Sequence, residues 1–585
     1  MGRMLGLVTK ARLLATFILV LVTLGAVAIR LYVNSLDQEP LPLQSQGVAA
    51  SGTIRPSGIA AEKPGLLLRD SRAFQGYTLL APLGQPRTYL IDMDGKVVKT
   101  WQSDCGPGLS AYLLEDGHLL RSGSLAQHAL ASTPGAGGRF QEFAWDGSLV
   151  WDFKWANAKQ LPHHDFCRLP NGNLLVIVWE KKTSRQAIAA GRKPETSGDP
   201  YLLPDCLVEI KPVGKTAAEV VWEWHTWDHL IQDHDRGKAN YGDVVLHPEL
   251  IDINYGEGVI SSLVGKDKDK DGMKKLRSLG YVGSPAPGQK LQVVNPDWTH
   301  INSVAYNAEL DQIMLSVYAF SEIWIIDHST TMAQAAGHTG GRSGKGGDLL
   351  YRWGNPRAYR GGTIQDQQLA NQHDAHWIRR GLPGAGHILV FNNGTRRPEP
   401  EGSYSSVDEI VVPGNQDGHY TLAPGTASAP KGPAWTYSAP NKPEFFAQLM
   451  SGAQRLPNGN TLICCTPDGL IFEVTQDKQV VWKYCYPIGG FPTATVAFKT
   501  KAHANASPWV FGNGWWPGHG EVLCSFFEGP PSAPPPGASG VAPGQVVGSL
   551  FRAYRYGPEY PGLIGKVLTP GKMLEELLRA ESANK

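Results

Sequence analysis

One short phrase returns six times along the chain and constrains its fold more than any other feature. Each copy has two residues, mostly apolar, and then a polar residue between two aromatic ones, although Lys99 replaces an aromatic residue in the first copy. A phrase repeated at intervals of tens of residues is typical of a repeat architecture. Its alternation predicts a β-strand in every copy. The copies are 97–101, 149–153, 220–224, 349–353, 433–437 and 480–484.

A second phrase predicts hairpins between these strands. Leu-x-Asn/Asp-Gly-x-x-Leu occurs at 114–120, 169–175 and 456–462. Asn-Gly and Asp-Gly between apolar segments favour tight hairpin turns, because both residues accept positive φ. Each repeat is therefore interpreted as a four-stranded antiparallel sheet, and the chain as an all-β, six-bladed β-propeller with its function at the axis.

The ring should be closed by strands from both ends of the chain. The phrase near Trp101 comes too early for a complete blade, and the alternating segment 550–556 can supply its missing strand. Such closure hides sheet edges that would otherwise aggregate. We assign residues 71–563 to the propeller, with insertions at 227–296, 330–347 and 529–544, and residues 564–585 to a short C-terminal helix.

The N-terminus carries a targeting pattern. Arg3, Lys10 and Arg12 precede an apolar run from Leu13 to Ile29. This predicts a signal peptide or a transmembrane signal anchor over residues 1–33. A spacer rich in Pro, Gly and Ser follows over 34–70. We expect an exported, periplasmic or otherwise extracytoplasmic protein, anchored to the membrane by its N-terminal helix.

Composition excludes some classes and leaves one metal question open. The formal net charge of +1 argues against a broad nucleic-acid surface. Seven cysteines are an odd number for an exported chain, and no Cys-x-x-Cys occurs. The run 267–272 resembles the start of a calcium loop, but Ser278 stands where Glu is required. It is therefore either a calcium site or a solvated charge run.

Candidate chemistry comes from aligning the repeats on their hairpins. His164 lies seven residues before Asn171, and the same offset gives Leu109 and Ser451 in other units. The strand pattern places His300 and His373 at the equivalent position, so three imidazoles should meet at one level of the axis. A single strand histidine is commonly structural, but a converging set suits proton transfer, nucleophilic catalysis or metal binding.

A guanidinium could join these imidazoles. Arg396 follows the hairpin of the His373 unit, and its planar fork suits a tetrahedral oxyanion. Arg396 is equally compatible with a solvated turn.

These residues resemble the motifs of bacterial arylsulfotransferases. The similar segments are 297–303, 372–373 and 391–396. The resemblance implies a periplasmic six-bladed propeller that moves a sulfuryl group from one phenol to another without the nucleotide sulfate donor, and we expect no cofactor. It also implies that His300 and His373 bind or deprotonate the phenol, and that Arg396 holds the sulfuryl oxygens.

The chain departs from that family at the covalent nucleophile. The family uses a histidine in a later blade, where this chain has Ser451, and no histidine occurs between His419 and His503. Either the alignment is wrong, or His503, His519 or a further ring histidine substitutes, or the chemistry is altered. We expect catalytic residues at His300, His373, Arg396 and His164, and substrate contacts from Asn302, His376, Asn393 and Ser451.

Two other functions remain open at this stage. A metal-dependent propeller enzyme would use the histidine cluster to bind zinc or copper. A non-catalytic propeller would bind a partner or carbohydrate, with its histidines merely lining the channel. The insertions also bring His225, His229 and His234 beside the propeller, where they could form a lid.

Overall fold

The computed structural model describes residues 63–583 except 84, 126–129, 131–132, 195–200, 257–295, 396, 398–401, 415–416, 467–468 and 487–548. The leader, most of the spacer, the calcium-like run and the Pro-rich insertion lie outside the described residues, as do His503 and His519. Among the described residues, no helix is long and apolar enough to cross a membrane, and the six described cysteines form no disulfide.

Six antiparallel sheets form the predicted propeller. From inside to outside, blade one contains Leu550–Tyr556, Tyr77–Pro82, Arg87–Ile91 and Val97–Gln102. Blade two contains Pro107–Leu113, Leu119–Ser124, Gly138–Phe143 and Leu149–Lys154. Blade three contains Gln160–Arg168, Leu174–Glu180, Asp205–Val213 and Ala217–His225.

The second half of the ring repeats this order. Blade four contains Ile301–Asn307, Gln312–Val317, Glu322–Asp327 and Tyr351–Trp353. Blade five contains His373–Trp377, Ile388–Asn392, Ser406–Ile410 and Trp435–Tyr437. Blade six contains Gly452–Arg455, Thr461–Cys465, Leu470–Val474, Val480–Cys485 and an added outer strand, Gly65–Arg69.

Shorter elements connect or cover the blades. The strand pairs are Lys182–Thr183 with Tyr201–Leu202, and Leu230–Ile231 with Ile251–Asp252. The α-helices are Ser184–Ala189, Met332–Ala335 and Leu574–Ala583. The 3-10 helices are Thr226–His229, Val244–Leu246, Tyr318–Phe320, Pro356–Tyr359, Ile364–Asp366, Lys442–Glu444 and Pro561–Leu563.

The repeated aromatic phrase lies on the fourth strand of every blade and joins that blade to the next. One tryptophan of each phrase donates its indole N–H to an acceptor in the following unit, around the whole ring. A buried indole N–H needs an acceptor, which explains why tryptophan recurs at this place. The bonds run from Trp101 to Ala144 O, Trp151 to Ala217 O, Trp222 to Thr330 Oγ1, Trp353 to Pro430 O, Trp435 to Gln476 O and Trp482 to Met93 O.

Both chain ends take part in closing the ring. The segment 550–556 pairs with Tyr77–Pro82, as the sequence predicts. Residues 65–69, which the sequence analysis assigned to the spacer, instead pair with Val480–Cys485 at the edge of blade six. The apolar side chain of Leu66 packs against the core there, so this outer strand lies within the range assigned to the spacer.

The short C-terminal helix lies within the range 564–585 and packs on the propeller. It covers 574–583, while the residues before it form turns and one 3-10 segment. Leu574 and Leu578 are buried in the core cluster that contains Trp482 and Tyr484. The helix therefore caps the seam at which blades six and one meet.

Candidate active site

The innermost strands carry a repeated backbone irregularity at the level identified by the hairpin offset. Leu109, His164, His300 and Ser451 have φ of 101°, 51°, 49° and 78°. A non-glycine residue in this left-handed region is uncommon. A β-bulge accompanies it in blades three and four, and such bulges re-aim side chains. In blade five the left-handed residue is Asp374, so His373 is displaced by one position.

The three predicted imidazoles meet at the axis. The ring centroids of His164 and His300 are 4.3 Å apart. Tyr318 lies between His300 and His373, and its ring centroid is 5.1 Å from that of His300 and 5.3 Å from that of His373. Phe551, from the closing strand, lies 6.1 Å from His164 and 6.4 Å from His373. We call His163, His164, His300 and His373 the histidine cluster; all four are buried.

A buried carboxylate stands behind His164 and acts on it through His163. His163 Nε2 lies 2.9 Å from Asp205 Oδ1, and His163 Nδ1 lies 2.7 Å from His164 Nδ1. With neutral rings, Nε2–H of His163 donates to the carboxylate and Nδ1–H of His164 donates to His163. This tautomer gives His164 a lone pair on Nε2, and we call the three residues the relay.

His300 has a carboxylate of its own. Asp297 Oδ2 lies 2.6 Å from His300 Nδ1, and Trp179 Nε1–H donates to Asp297 Oδ1 at 3.1 Å. A carboxylate at Nδ1 fixes the orientation of the ring. The relay and this pair are also joined, because Asp205 Oδ2 accepts the Ile301 backbone N–H at 2.6 Å.

His373 is held differently. Asn393 Oδ1 lies 2.8 Å from Nδ1, while the Met450 backbone N–H donates to Nε2 at 3.2 Å. Asn393 in turn donates to the carbonyls of Ala447 and Met450. Both ring nitrogens of His373 are therefore hydrogen-bonded to blades five and six in this conformation.

Burial keeps two of these histidines neutral. It lowers the pKa of His164 well below its usual value, and the neighbouring histidines and Arg552 lower it further. Burial also lowers the pKa of His373 far below the ordinary range, although the Asn393 hydrogen bond opposes this shift. A neutral imidazole is the form that can attack an electrophile or accept a proton.

An ion-pair cluster lies directly behind the histidine cluster. Arg552 Nη1 lies 2.7 Å from Asp165 Oδ2 and 3.3 Å from Asp374 Oδ1. Its Nη2 donates to the carbonyl of Asn302 at 2.6 Å. Burial disfavours its charge, but Asp165 and Asp374 outweigh that penalty and raise the pKa of Arg552. One guanidinium thus holds the strands that carry all three axial histidines.

The remaining predicted residues have varied surroundings. Asn302 is buried and donates to Gln372 O at 2.8 Å. His376 is partly exposed, with Nδ1 2.8 Å from Asp374 O. Ser451 Oγ accepts a hydrogen bond from the Thr466 N–H at 3.1 Å and donates to Leu449 O at 3.4 Å. Its hydroxyl is therefore hydrogen-bonded to the neighbouring backbone. Arg396 lies outside the described residues.

Sequence reasoning missed several residues of this site. Asp205 and Arg552 belong to strands that carry no repeated phrase, so nothing local marks them. Asp165 and Asp374 did carry a signal, since each directly follows an axial histidine. Gly135 is required by close packing: a Cβ there would lie 2.0 Å from His164 Cε1.

The histidine cluster does not have the geometry of a preformed metal site. Within the part of the chain that the structure describes, three groups of potential ligands occur, and none includes His164, His300 or His373. The Nδ1 atoms of these residues are instead hydrogen-bonded to protein acceptors. The arrangement favours proton transfer or nucleophilic attack by imidazole.

Comparison with known proteins gives one family match. The model of a family described as Arylsulfotransferase (ASST) matches residues 75–479. No curated protein matches the chain. Similar solved structures include a protein of unknown function from Bacteroides caccae, 12% identical, with a TM-score of 0.35 over 70% of this chain and 94% of that one. AztD from Citrobacter koseri is 7% identical, with a TM-score of 0.29 over 71% and 95% of the two chains.

Proposed function

This chain belongs to the arylsulfotransferase family, and we propose that it transfers a sulfuryl group from a phenolic sulfate ester to a second phenol at the histidine cluster. The observation that carries the proposal is the pairing of two adjacent imidazoles with separate buried carboxylates. His164 is linked to Asp205 through His163, and His300 is bound directly to Asp297. One imidazole can receive the sulfuryl group while the other moves the proton.

We assign the covalent step to His164. Its Nε2 lone pair attacks sulfur as the S–O bond of the donor breaks, and the bonding electrons leave on the phenolic oxygen. The positive charge that develops on the ring is stabilised through His163 by Asp205. The hairpin alignment places Ser451 where the family has its nucleophilic histidine, and this assignment supplies a nucleophile in its stead.

His300 acts as general acid in the first half of the reaction and as general base in the second. As an imidazolium paired with Asp297, it protonates the departing phenolate. The resulting neutral ring then removes the proton of the acceptor phenol, whose oxygen attacks sulfur, and the N–S electrons return to His164. General acid–base help of this kind contributes about 10²–10⁴-fold.

Charge stabilisation on the sulfuryl oxygens is assigned to Arg396, as the family resemblance implies. The charge of Arg552 is engaged by two aspartates, so that residue is a positioning group and not an anion binder. Fixed donors around a developing anion typically give the largest share of catalysis.

The test is release of p-nitrophenol from p-nitrophenyl sulfate, measured with and without phenol. We expect phenol to accelerate release and phenyl sulfate to form. His300→Ala and His164→Ala should each lower turnover about a hundredfold or more. The matched control is His247→Ala, because that histidine is half exposed and paired only with Glu249 among described residues. Equal activity in all three variants would refute the assignment.

We also propose that the protein is exported and held at the membrane by residues 1–33. The support is the basic cluster and apolar run of the sequence alone. Cell fractionation of the full chain, compared with a chain lacking those residues, tests it: a cytoplasmic location for both would contradict export.

A further inference from the structure

A second histidine group lies away from the axis, where the first two insertions meet. His229 ends the 3-10 helix that follows the outer strand of blade three. His338 belongs to the insertion 330–347, and Asp348 directly follows that insertion. Nothing in the proposed transfer reaction uses these residues.

The three side chains direct potential ligand atoms at one point. Asp348 Oδ1 lies 2.9 Å from His229 Nδ1 and 2.8 Å from His338 Nδ1. All three atoms lie within 4.8 Å of one another. Ligands about 2.0–2.1 Å from a tetrahedral zinc ion stand about 3.3 Å apart, so the observed N–O distances would lengthen by about 0.4–0.5 Å when the ion binds.

The other nitrogen of His229 indicates what should occupy that point. Nε2 lies 2.9 Å from the carbonyl of Ala335, so this nitrogen carries a proton and donates it. Nδ1 of the same ring faces the Asp348 carboxylate, and either a second ring proton or a metal ion can lie between the two groups. A histidine that donates its second N–H to a carbonyl is the usual arrangement of a metal ligand.

The ligands are held in place by their surroundings. His229 is fully buried, and the Trp224 ring is stacked on it with centroids 5.5 Å apart. Trp224 also donates its indole N–H to Gly347 O at 2.7 Å. A Cβ at Gly347 would lie 2.0 Å from Ala335 O and 2.6 Å from His229 Nε2, so only glycine fits.

Two comparable groups in the described chain are less suited to a metal. In the group of Glu180, Cys206 and His225, the Lys182 ammonium lies 2.6 Å from Glu180, and burial raises the pKa of the Cys206 thiol well above its usual value. In the group of Asp116, His118 and Glu142, the Arg168 guanidinium lies 3.4 Å from Glu142. Asp348 has no Lys or Arg partner among the described residues.

We propose that His229, His338 and Asp348 bind one divalent cation of the zinc class. Two imidazoles and a carboxylate are ligands that zinc accepts, and a water molecule would complete a tetrahedral set. His338 is 59% exposed, which gives the ion a path from solvent. The ion would fasten the 330–347 insertion to the end of blade three.

The test is a zinc titration of the metal-depleted full chain by calorimetry, repeated on His338→Ala and Asp348→Asn. We expect one equivalent to bind, with affinity reduced at least tenfold in each variant. His338→Ala removes an exposed side chain and should fold normally, and His247→Ala is the control because that histidine is also exposed and pairs with a carboxylate, Glu249.

Binding of cobalt gives a second readout that does not depend on activity. A tetrahedral site with nitrogen and oxygen ligands should give visible absorption that disappears in Asp348→Asn. Absence of zinc binding by the wild-type chain would mean that a proton, and not a metal, lies between these groups, and would overturn the proposal. Equal binding by all variants would overturn it as well. Sulfuryl transfer by His338→Ala should be unchanged, so this proposal and the proposed function can fail separately.

Discussion

Arg552→Met should destabilise the propeller more than most single substitutions. The side chains of Asp165 and Asp374 are only 1% and 4% exposed, and the guanidinium is their shared countercharge. Removing one partner of a buried ion pair costs about 3–5 kcal/mol, because the remaining charge stays buried without compensation. We therefore expect the free energy of unfolding to fall by about that amount.

The measurement is urea unfolding followed by tryptophan fluorescence. The matched variant is the triple change Arg552→Met, Asp165→Asn and Asp374→Asn, which removes the stranded charges together with the guanidinium. It should recover at least half of the loss. If the unfolding free energy of Arg552→Met lies within about 1 kcal/mol of the wild-type value, the buried cluster contributes little to stability, and the reasoning is refuted.

Arg552→Lys separates positioning from stability. Lysine keeps the charge but lacks the fork that reaches both Asp165 and the carbonyl of Asn302. We expect most of the stability to remain while kcat for sulfuryl transfer falls with little change in KM. A rise in KM with unchanged kcat would show that the guanidinium affects substrate binding instead of the histidine geometry.

Three further predictions concern pH, Ser451 and the ring of tryptophans. Because the folded-state pKa of His373 is lowered, only the unfolded chain takes up its proton as pH falls below about 6.5; stability should drop there by about 1.4 kcal/mol per pH unit for this residue. His373→Gln should flatten the slope of unfolding free energy against pH between about 7 and 5, and an unchanged slope would contradict the assignment. Ser451→Ala should cost about 1 kcal/mol in urea unfolding, for the lost bond from the Thr466 N–H, and should alter turnover less than twofold; a hundredfold loss would make Ser451 catalytic. Trp482→Phe should lower the free energy of unfolding in urea by more than about 1 kcal/mol, the value of the hydrogen bond to Met93 alone, because the Trp482 ring is fully buried. An unchanged urea midpoint would argue against the inter-blade bonds.

Local patterns predicted the fold well because each blade repeats the same hairpin turn and the same aromatic outer strand. The hairpin phrase requires a turn residue with positive φ, and Gly117, Gly172 and Gly459 have φ of 87°, 87° and 88°. The aromatic phrase predicts an outer strand without revealing its purpose. Its reason, an indole N–H donated to the next blade, becomes visible only in three dimensions.

The site was only partly predictable. The hairpin offset placed His164 at the axis, because an equal distance from a fixed turn gives an equal height there, and the strand pattern placed His300 at the same level. The strand pattern placed His373 one residue from the left-handed position, which Asp374 occupies, because a sequence pattern cannot locate a bulge. Asp205 and Arg552 lie far from their partners in sequence, 42 residues from His163 and 387 from Asp165, so no local pattern could connect them.

The most direct test of the account is to trap the intermediate. The wild-type chain is mixed with p-nitrophenyl sulfate without an acceptor, quenched under alkaline conditions and digested, and the peptides are analysed by mass spectrometry. The account predicts the added mass of one sulfuryl group on the peptide that contains His164, and its loss when phenol is supplied before the quench. A sulfuryl group on another residue, or rapid p-nitrophenol release by His164→Ala, would contradict it.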